Sequence, residues 1–233
     1  MNIARQIDRH AAAIVAALAE GGFKAHLNDD PKAYADYVGT VPGYSLTSPL
    51  DLAFVDVREK FIWLRVTDSA GNLVAIEAGR YLKAPTLTGG LNRLLKSRRF
   101  FGEHRPTLPV VTTLPAINLS GDLGYMGGGF VAKEHRDRGV MSLTAQLTML
   151  HLMRLFPIDH LFGLVKAQHV ARSLRLQGYG FTSATAVRWA YWADSAAPET
   201  LFMVHVDRAA LIDRVDEQPH YALKKSTIVE GKV

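Results

Sequence analysis

Apolar positions recur at helical spacing from the start of the chain. Ile3, Ile7, Ile14 and Leu18 fall on one side of Asn2 to Glu20, and Gly21-Gly22 ends the pattern, so a helix is predicted there. A second, short helix is predicted over Pro31 to Val38, with caps in Asn28-Asp29-Asp30 and proline at its first turn. Tyr34 and Tyr37 on it belong either to the core, the reading taken here, or to the lining of a pocket. The pattern then changes to strands over Leu52 to Val57, Phe61 to Thr67 and Leu73 to Leu82. The turn-rich run Asp68 to Asn72 joins the last two into a hairpin. Thr88 to Phe101 reads as an inserted helix with a basic face, and Pro106, Pro109 and Pro115 punctuate a loop or edge segment after it.

Leu123 to Ser142 is the stretch that organises the chain. It begins as a strand, turns through a charged corner at Lys133 to Arg138, and continues as a helix from Val140 to Phe156. Leu143, Leu147, Leu150 and Met153 form that helix's buried stripe, and Pro157 breaks it. Asp159 to Lys166 is apolar without alternation, which predicts a central strand buried on both faces. A short helix over His169 to Gln177, strands over Ala186 to Ala193 and Leu201 to Asp207, and a C-terminal helix or tail complete the chain. The order predicts an α/β fold with a mixed sheet. No interior linker divides residues 1–233, so one domain is predicted: N-terminal helices in 1–50, an insertion at 84–121 and a tail at 208–233.

Composition narrows the chemistry. The 233 residues carry 48% apolar and 21% charged residues, enough for a packed core. There is no cysteine, which removes disulfides, thiolate metal sites and cysteine nucleophiles, and suits the cytoplasm. The run Ala11 to Ala19 behind Arg5 and Arg9 is read as part of the first helix, because Asp8 interrupts a signal-peptide basic region. No run is long and apolar enough to span a bilayer. The net charge of +5 suits a polyanionic partner. A strand that hands to a helix through a basic, glycine-containing turn is a device for holding phosphate, because the first N–H groups of a helix are free and its end is partially positive.

Val131 to Ser142 (VAKEHRDRGVMS) resembles the acyl-CoA-binding motif of the GNAT acyltransferase superfamily. Arg136, Gly139 and Met141 sit at the motif's three main positions, and Arg138 takes the basic position before the first glycine. Met141 stands where the family has a small residue. The hairpin over Phe61 to Leu82 and the run from Leu161 to Phe181 are similar to family elements too. The resemblance implies a GNAT-like mixed, mostly antiparallel sheet flanked by helices, and acetyl-CoA or another acyl-CoA as donor to an amine acceptor. It implies Arg136, Asp137, Arg138, Gly139, Val140, Met141 and Ser142 at the pyrophosphate, and Phe130, Val131 and Ala132 along the pantetheine arm. Tyr125 occupies the position at which some members carry a catalytic base. The tyrosine that often protonates the departing thiolate is replaced by Arg175 or Leu176.

Glu77 and Asp122 are further candidate bases, each read as surface charge. Gly127-Gly128-Gly129 either eases a splaying of the strand or only relieves crowding, and both readings stay open. Gly127-x-Gly129-x-x-Ala132 mimics a dinucleotide fingerprint, but a charged turn stands where the helix should open. His151, His160 and His169 lack metal-ligand spacing, so no metal is predicted. Arg98 to Phe101 is too little for a nucleic-acid face. An acyl-carrier-protein donor, a homodimer and a non-catalytic acyl-CoA-binding domain remain open alternatives.

Overall fold

The computed structural model describes residues 3–44, 46, 50–51, 60–82, 86–87, 99–100, 103–104, 109–113, 119–174, 178–191, 199–217, 221 and 223. The chain begins with α1 (Ile3–Glu20), β1 (Lys24–Asn28) and α2 (Pro31–Val38). The hairpin β2 (Phe61–Thr67) and β3 (Leu73–Leu82) follows. Three short strands come next: β4 (Arg99–Phe100), β5 (Glu103–His104) and β6 (Pro109–Thr113). Then come β7 (Leu123–Val131), α3 (Val140–Leu155), β8 (His160–Lys166) and α4 (Ala167–Leu174). The last elements are β9 (Ser183–Tyr191), β10 (Glu199–Asp207) and α5 (Arg208–Asp216).

Eight strands form one sheet in the order β1-β2-β3-β7-β8-β10-β9-β6. Every neighbouring pair is antiparallel except β7 and β8, which run parallel because α3 carries the chain back between them. The expected mixed, mostly antiparallel sheet flanked by helices is therefore present. Both faces are covered. Ile62, Leu64 and Val66 pack with α1 and α3, while Phe61 and Trp63 on alternate positions pack with Tyr34 and Val38 of α2. This two-sided burial is why β8 reads as an apolar run without alternation.

Helix α3 is buried nearly all round, not along one stripe. Its polar residues bond inside the core. Thr144 and Thr148 donate to the carbonyls of Val140 and Thr144, each at 2.9 Å, and Gln146 Nε2 donates to Gly178 O at 2.7 Å. Each fully buried leucine there contributes about 1.5–3 kcal/mol.

Several boundaries depart from the sequence reading. β1 was not expected, because Lys24–Asn28 is a short, mostly exposed edge strand whose only apolar residues are Ala25 and Leu27. Arg99–Phe100 pairs with Glu103–His104 and is strand where the inserted helix was expected to end, whereas the rest of Thr88 to Phe101 lies outside the described residues. The expected strand Leu52 to Val57 lies outside them as well. β6 makes the proline-rich segment an edge strand against β9, and the Thr86–Ser120 bridge ties the ends of the insertion together. α4 begins two residues earlier than expected, at Ala167, and β9 begins at Ser183.

The C-terminal end of α3 is closed by Arg208. Its guanidinium donates to Met153 O at 2.6 Å, Ile158 O at 2.9 Å and Phe156 O at 3.0 Å, which satisfies carbonyls a helix end leaves free. Arg208→Ala should lower stability by about 2–3 kcal/mol, read as a reduced urea midpoint with unchanged slope. A loss below about 0.5 kcal/mol would mean that water replaces the arginine there.

Candidate active site

The site begins with a fault in the sheet. In the β3–β7 ladder Ile76 faces Phe130 and Ala78 faces Gly127, so Glu77 stands opposite two residues, Gly128 and Gly129. This is a β-bulge, and Gly128 carries its cost at φ +69°, a conformation open to glycine. On the other side, β7 pairs with β8 only over Leu123 to Tyr125. The two strands separate beyond that point, leaving backbone N–H and C=O groups of β7 facing a cleft. The glycines at 127–129 thus mark a real distortion of the strand.

The cleft has a volume of about 620 Å³ and is lined by the open halves of β7 and β8, the turn before α3, and α4. That is a typical size for a small-molecule site. The glycines fit it closely. A Cβ at Gly127 would lie 2.5 Å from the Tyr125 hydroxyl, and one at Gly128 would lie 2.6 Å from both the Tyr34 and Tyr44 hydroxyls. A Cβ at Gly129 would lie 2.6 Å from Glu77 Oε2 and 2.9 Å from Met141 Cε.

Glu77 is the chemically distinctive residue. It is 4% exposed, yet it lines the cleft. Burial pushes its carboxyl well above the ordinary range, because charge is costly away from water. Tyr44, Tyr125 and Tyr179 line the same cleft. All three hydroxyls are raised, first by burial, with the Glu77 carboxyl adding to the effect. They stay protonated at neutral pH and act as hydrogen-bond donors. Tyr34 and Tyr44 share a hydrogen bond at 2.5 Å, and Tyr44 donates to Gly128 O at 2.8 Å, which fixes the bulge. The reading of Glu77 as surface charge is corrected. In β3 both faces are buried, so no solvent side exists for it.

The charged end of the cleft lies past the C-terminal ends of β7 and β8. Lys133–His135 form one 3-10 turn, Asp137 adopts φ +62°, and Gly139 at φ +86° opens α3 with no side-chain cap. A Cβ at Gly139 would meet nothing within 4 Å, so approach to the first N–H groups of α3 is open. Arg136 is exposed and lines the cleft, as do Lys166, His169 and Arg172 from the β8–α4 side. Arg172 donates to Asp137 at 3.1 Å across the mouth. His169 is held below the usual histidine range by partial burial and by the neighbouring Arg172 and Lys166 charges.

The structure therefore brings Tyr125, Phe130, Val131, Arg136, Asp137 and Met141 of the expected residues to the cleft. Ala132, Arg138, Gly139, Val140 and Ser142 do not line it. Val140 is fully buried, and Gly139, Val140 and Ser142 form the start of α3. Arg138 faces away: its guanidinium lies 5.0 Å from the Phe23 ring centroid and 3.2 Å from His135 Nδ1. Met141 is 8% exposed and folds beside Gly129, leaving the helix start clear. Tyr44, Tyr179, Lys166 and Arg172 carry no local sequence signal, since only the tertiary fold brings them in. Among the described residues, no group of three or more metal-ligating side chains is assembled, and no helix is long and apolar enough to cross a membrane.

Because burial raises the Glu77 carboxyl above its unfolded value, its contribution is most favourable at or below ordinary carboxyl pH. It is lost as pH rises from there toward the raised folded-state value. Glu77→Gln should remove that loss. The variant should gain on the wild type with rising pH, by up to about 1.4 kcal/mol per pH unit within the window. Parallel stability curves in urea unfolding would show that the carboxyl is not held neutral.

No family model matches the chain, and no curated protein matches it. Solved structures do. A variant of the spermidine N-acetyltransferase SpeG from Vibrio cholerae is 8% identical, covering 83% of this chain and 98% of its own, with a TM-score of 0.47. Arabidopsis thaliana NAA60 in complex with acetyl-CoA is 9% identical over 79% of this chain and 99% of its own, with a TM-score of 0.45. FeeM, an N-acyl amino acid synthase from uncultured soil microbes, is 11% identical over 81% and 92%, with a TM-score of 0.44. The chain has a mixed, mostly antiparallel sheet flanked by helices, with a parallel β7–β8 pair that separates past Tyr125 and a basic turn that opens α3.

Proposed function

We propose that the protein is an acyltransferase that moves an acyl group from acyl-CoA to an amine. The observation that carries this reading is one continuous cleft, open at a basic turn and lined further in by a buried carboxyl. The two ends suit the two substrates. Arg136 and the uncapped N–H groups of α3 suit the donor's pyrophosphate. The unpaired half of β7, through Phe130 and Val131, offers backbone partners to an amide-bearing arm.

The chemistry needs the amine nitrogen to bond to the thioester carbonyl carbon while the carbon–sulfur bond breaks and its electron pair leaves on sulfur. The nitrogen's proton passes to Glu77 after that carboxyl has lost its own proton to solvent; its raised proton affinity makes it a better base than an exposed glutamate, and it releases the proton to solvent afterwards. The thiolate takes a proton from the Tyr179 hydroxyl, which burial keeps protonated and which is regained from solvent. Backbone N–H groups in the open half of β7 are the donors available to the carbonyl oxygen as it gains charge. Tyr125 serves as a donor beside Glu77, not as the base.

Calorimetric titration with acetyl-CoA and longer acyl-CoAs tests the reading. Binding by the wild type should weaken about tenfold in Arg136→Ala, the loss expected for one charge-assisted contact. It should change less in Arg138→Ala, whose guanidinium sits on Phe23. No binding of any acyl-CoA to the wild type would overturn the donor assignment.

A further inference from the structure

We infer that the acceptor is a small primary amine on an apolar or aromatic body, with no carboxylate beside the nitrogen. The inference rests on the acyltransferase reading and adds the chemical class of the acceptor to it. The cleft has two poles. Arg136 and Arg172 lie beyond the C-terminal ends of β7 and β8, and Lys166 is the last residue of β8; this is the end assigned to the phosphorylated donor. Glu77 sits mid-strand in β3, opposite the bulge, with Tyr44, Tyr125, Phe130 and Met126 lining the same cleft.

An amine entering this pole as its ammonium can form an ion pair with the buried Glu77 carboxyl, which gives up its proton, between aromatic walls. Charge-assisted hydrogen bonding and attraction to ring faces both favour it there. An alcohol of the same shape can hydrogen-bond the carboxyl but brings no positive charge to pair with it or to meet the ring faces. An α-amino acid would bring a second carboxylate close to Glu77 where water cannot screen the repulsion, and two carboxylates in one dry site oppose each other's ionisation. The geometry also limits size. The donor's arm and the acceptor share about 620 Å³, and the glycines leave the walls no slack, since a Cβ at Gly129 would already lie 2.6 Å from Glu77. Tyr34 and the Gly128 carbonyl hold Tyr44 in place, so this wall is built before the ligand arrives.

Three matched probes test this without turnover: phenethylamine, 2-phenylethanol and phenylalanine, each titrated calorimetrically into the full chain in two buffers of different ionisation enthalpy. Phenethylamine should bind at least tenfold more tightly than either of the others, and should release protons as Glu77 ionises. Glu77→Gln should lose the preference for amine over alcohol and lose the proton release, while still binding acyl-CoA. Equal binding of the amine and the alcohol, or of the amine and phenylalanine, would overturn the inference on the wild-type protein alone. So would a Gln variant that folds and keeps the preference. Failure of the acyltransferase reading is distinguishable: acyl-CoA would then not bind, whatever the amine probes do.

Discussion

The site depends on the two-against-one pairing of Gly128 and Gly129 with Glu77. A regular β7 would pair with β8 along its length and leave no cleft. The bulge makes the strand bend away after Tyr125, and the parallel neighbour cannot follow because β10 holds it on its other side from His160 to Lys166. What opens is a gap with unpaired backbone on one wall. Gly163 marks the hinge of that gap, since a Cβ there would lie 3.0 Å from the Met126 carbonyl.

The same fault explains the unusual company of side chains. A carboxyl in the middle of a buried strand is expensive, and here the missing side chains of the glycines leave it room against the cleft. The tyrosine hydroxyls around it are donors, and the Tyr34–Tyr44 pair locks the Gly128 carbonyl that shapes the bulge. A buried carboxyl and several tyrosine hydroxyls thus meet where the sheet is broken, apart from the buried polar residues that α3 satisfies within the core. The rest of the interior follows ordinary rules, with apolar faces meeting α1 and α3 on one side and α2 on the other.

Much of this was legible in the chain. Helical spacing marked α1 and α3, turn residues marked the β2–β3 hairpin, and the strand–basic turn–helix sequence marked the charged end of the cleft. The triple glycine was visible, but its role was not, because register depends on the partner strand. Glu77 was missed although a signal existed: Leu73 to Leu82 is apolar on both sides of it, which leaves no polar face. The neighbouring arginines 136 and 138 look alike in sequence, yet one faces the cleft and the other lies over Phe23, a ring supplied from more than a hundred residues away. β1 was hidden because five mostly exposed residues, with only Ala25 and Leu27 apolar, give too short a pattern to read.

Residue-by-residue amide hydrogen exchange along β7 tests the opening of the sheet most directly. Protection should be high from Leu123 to Tyr125, where both neighbouring strands pair with it. Beyond Gly128 it should fall at alternate amides, those facing β8, while the amides facing β3 stay protected. Uniform protection along the whole strand would contradict the cleft, and with it the placement of every residue assigned to the site.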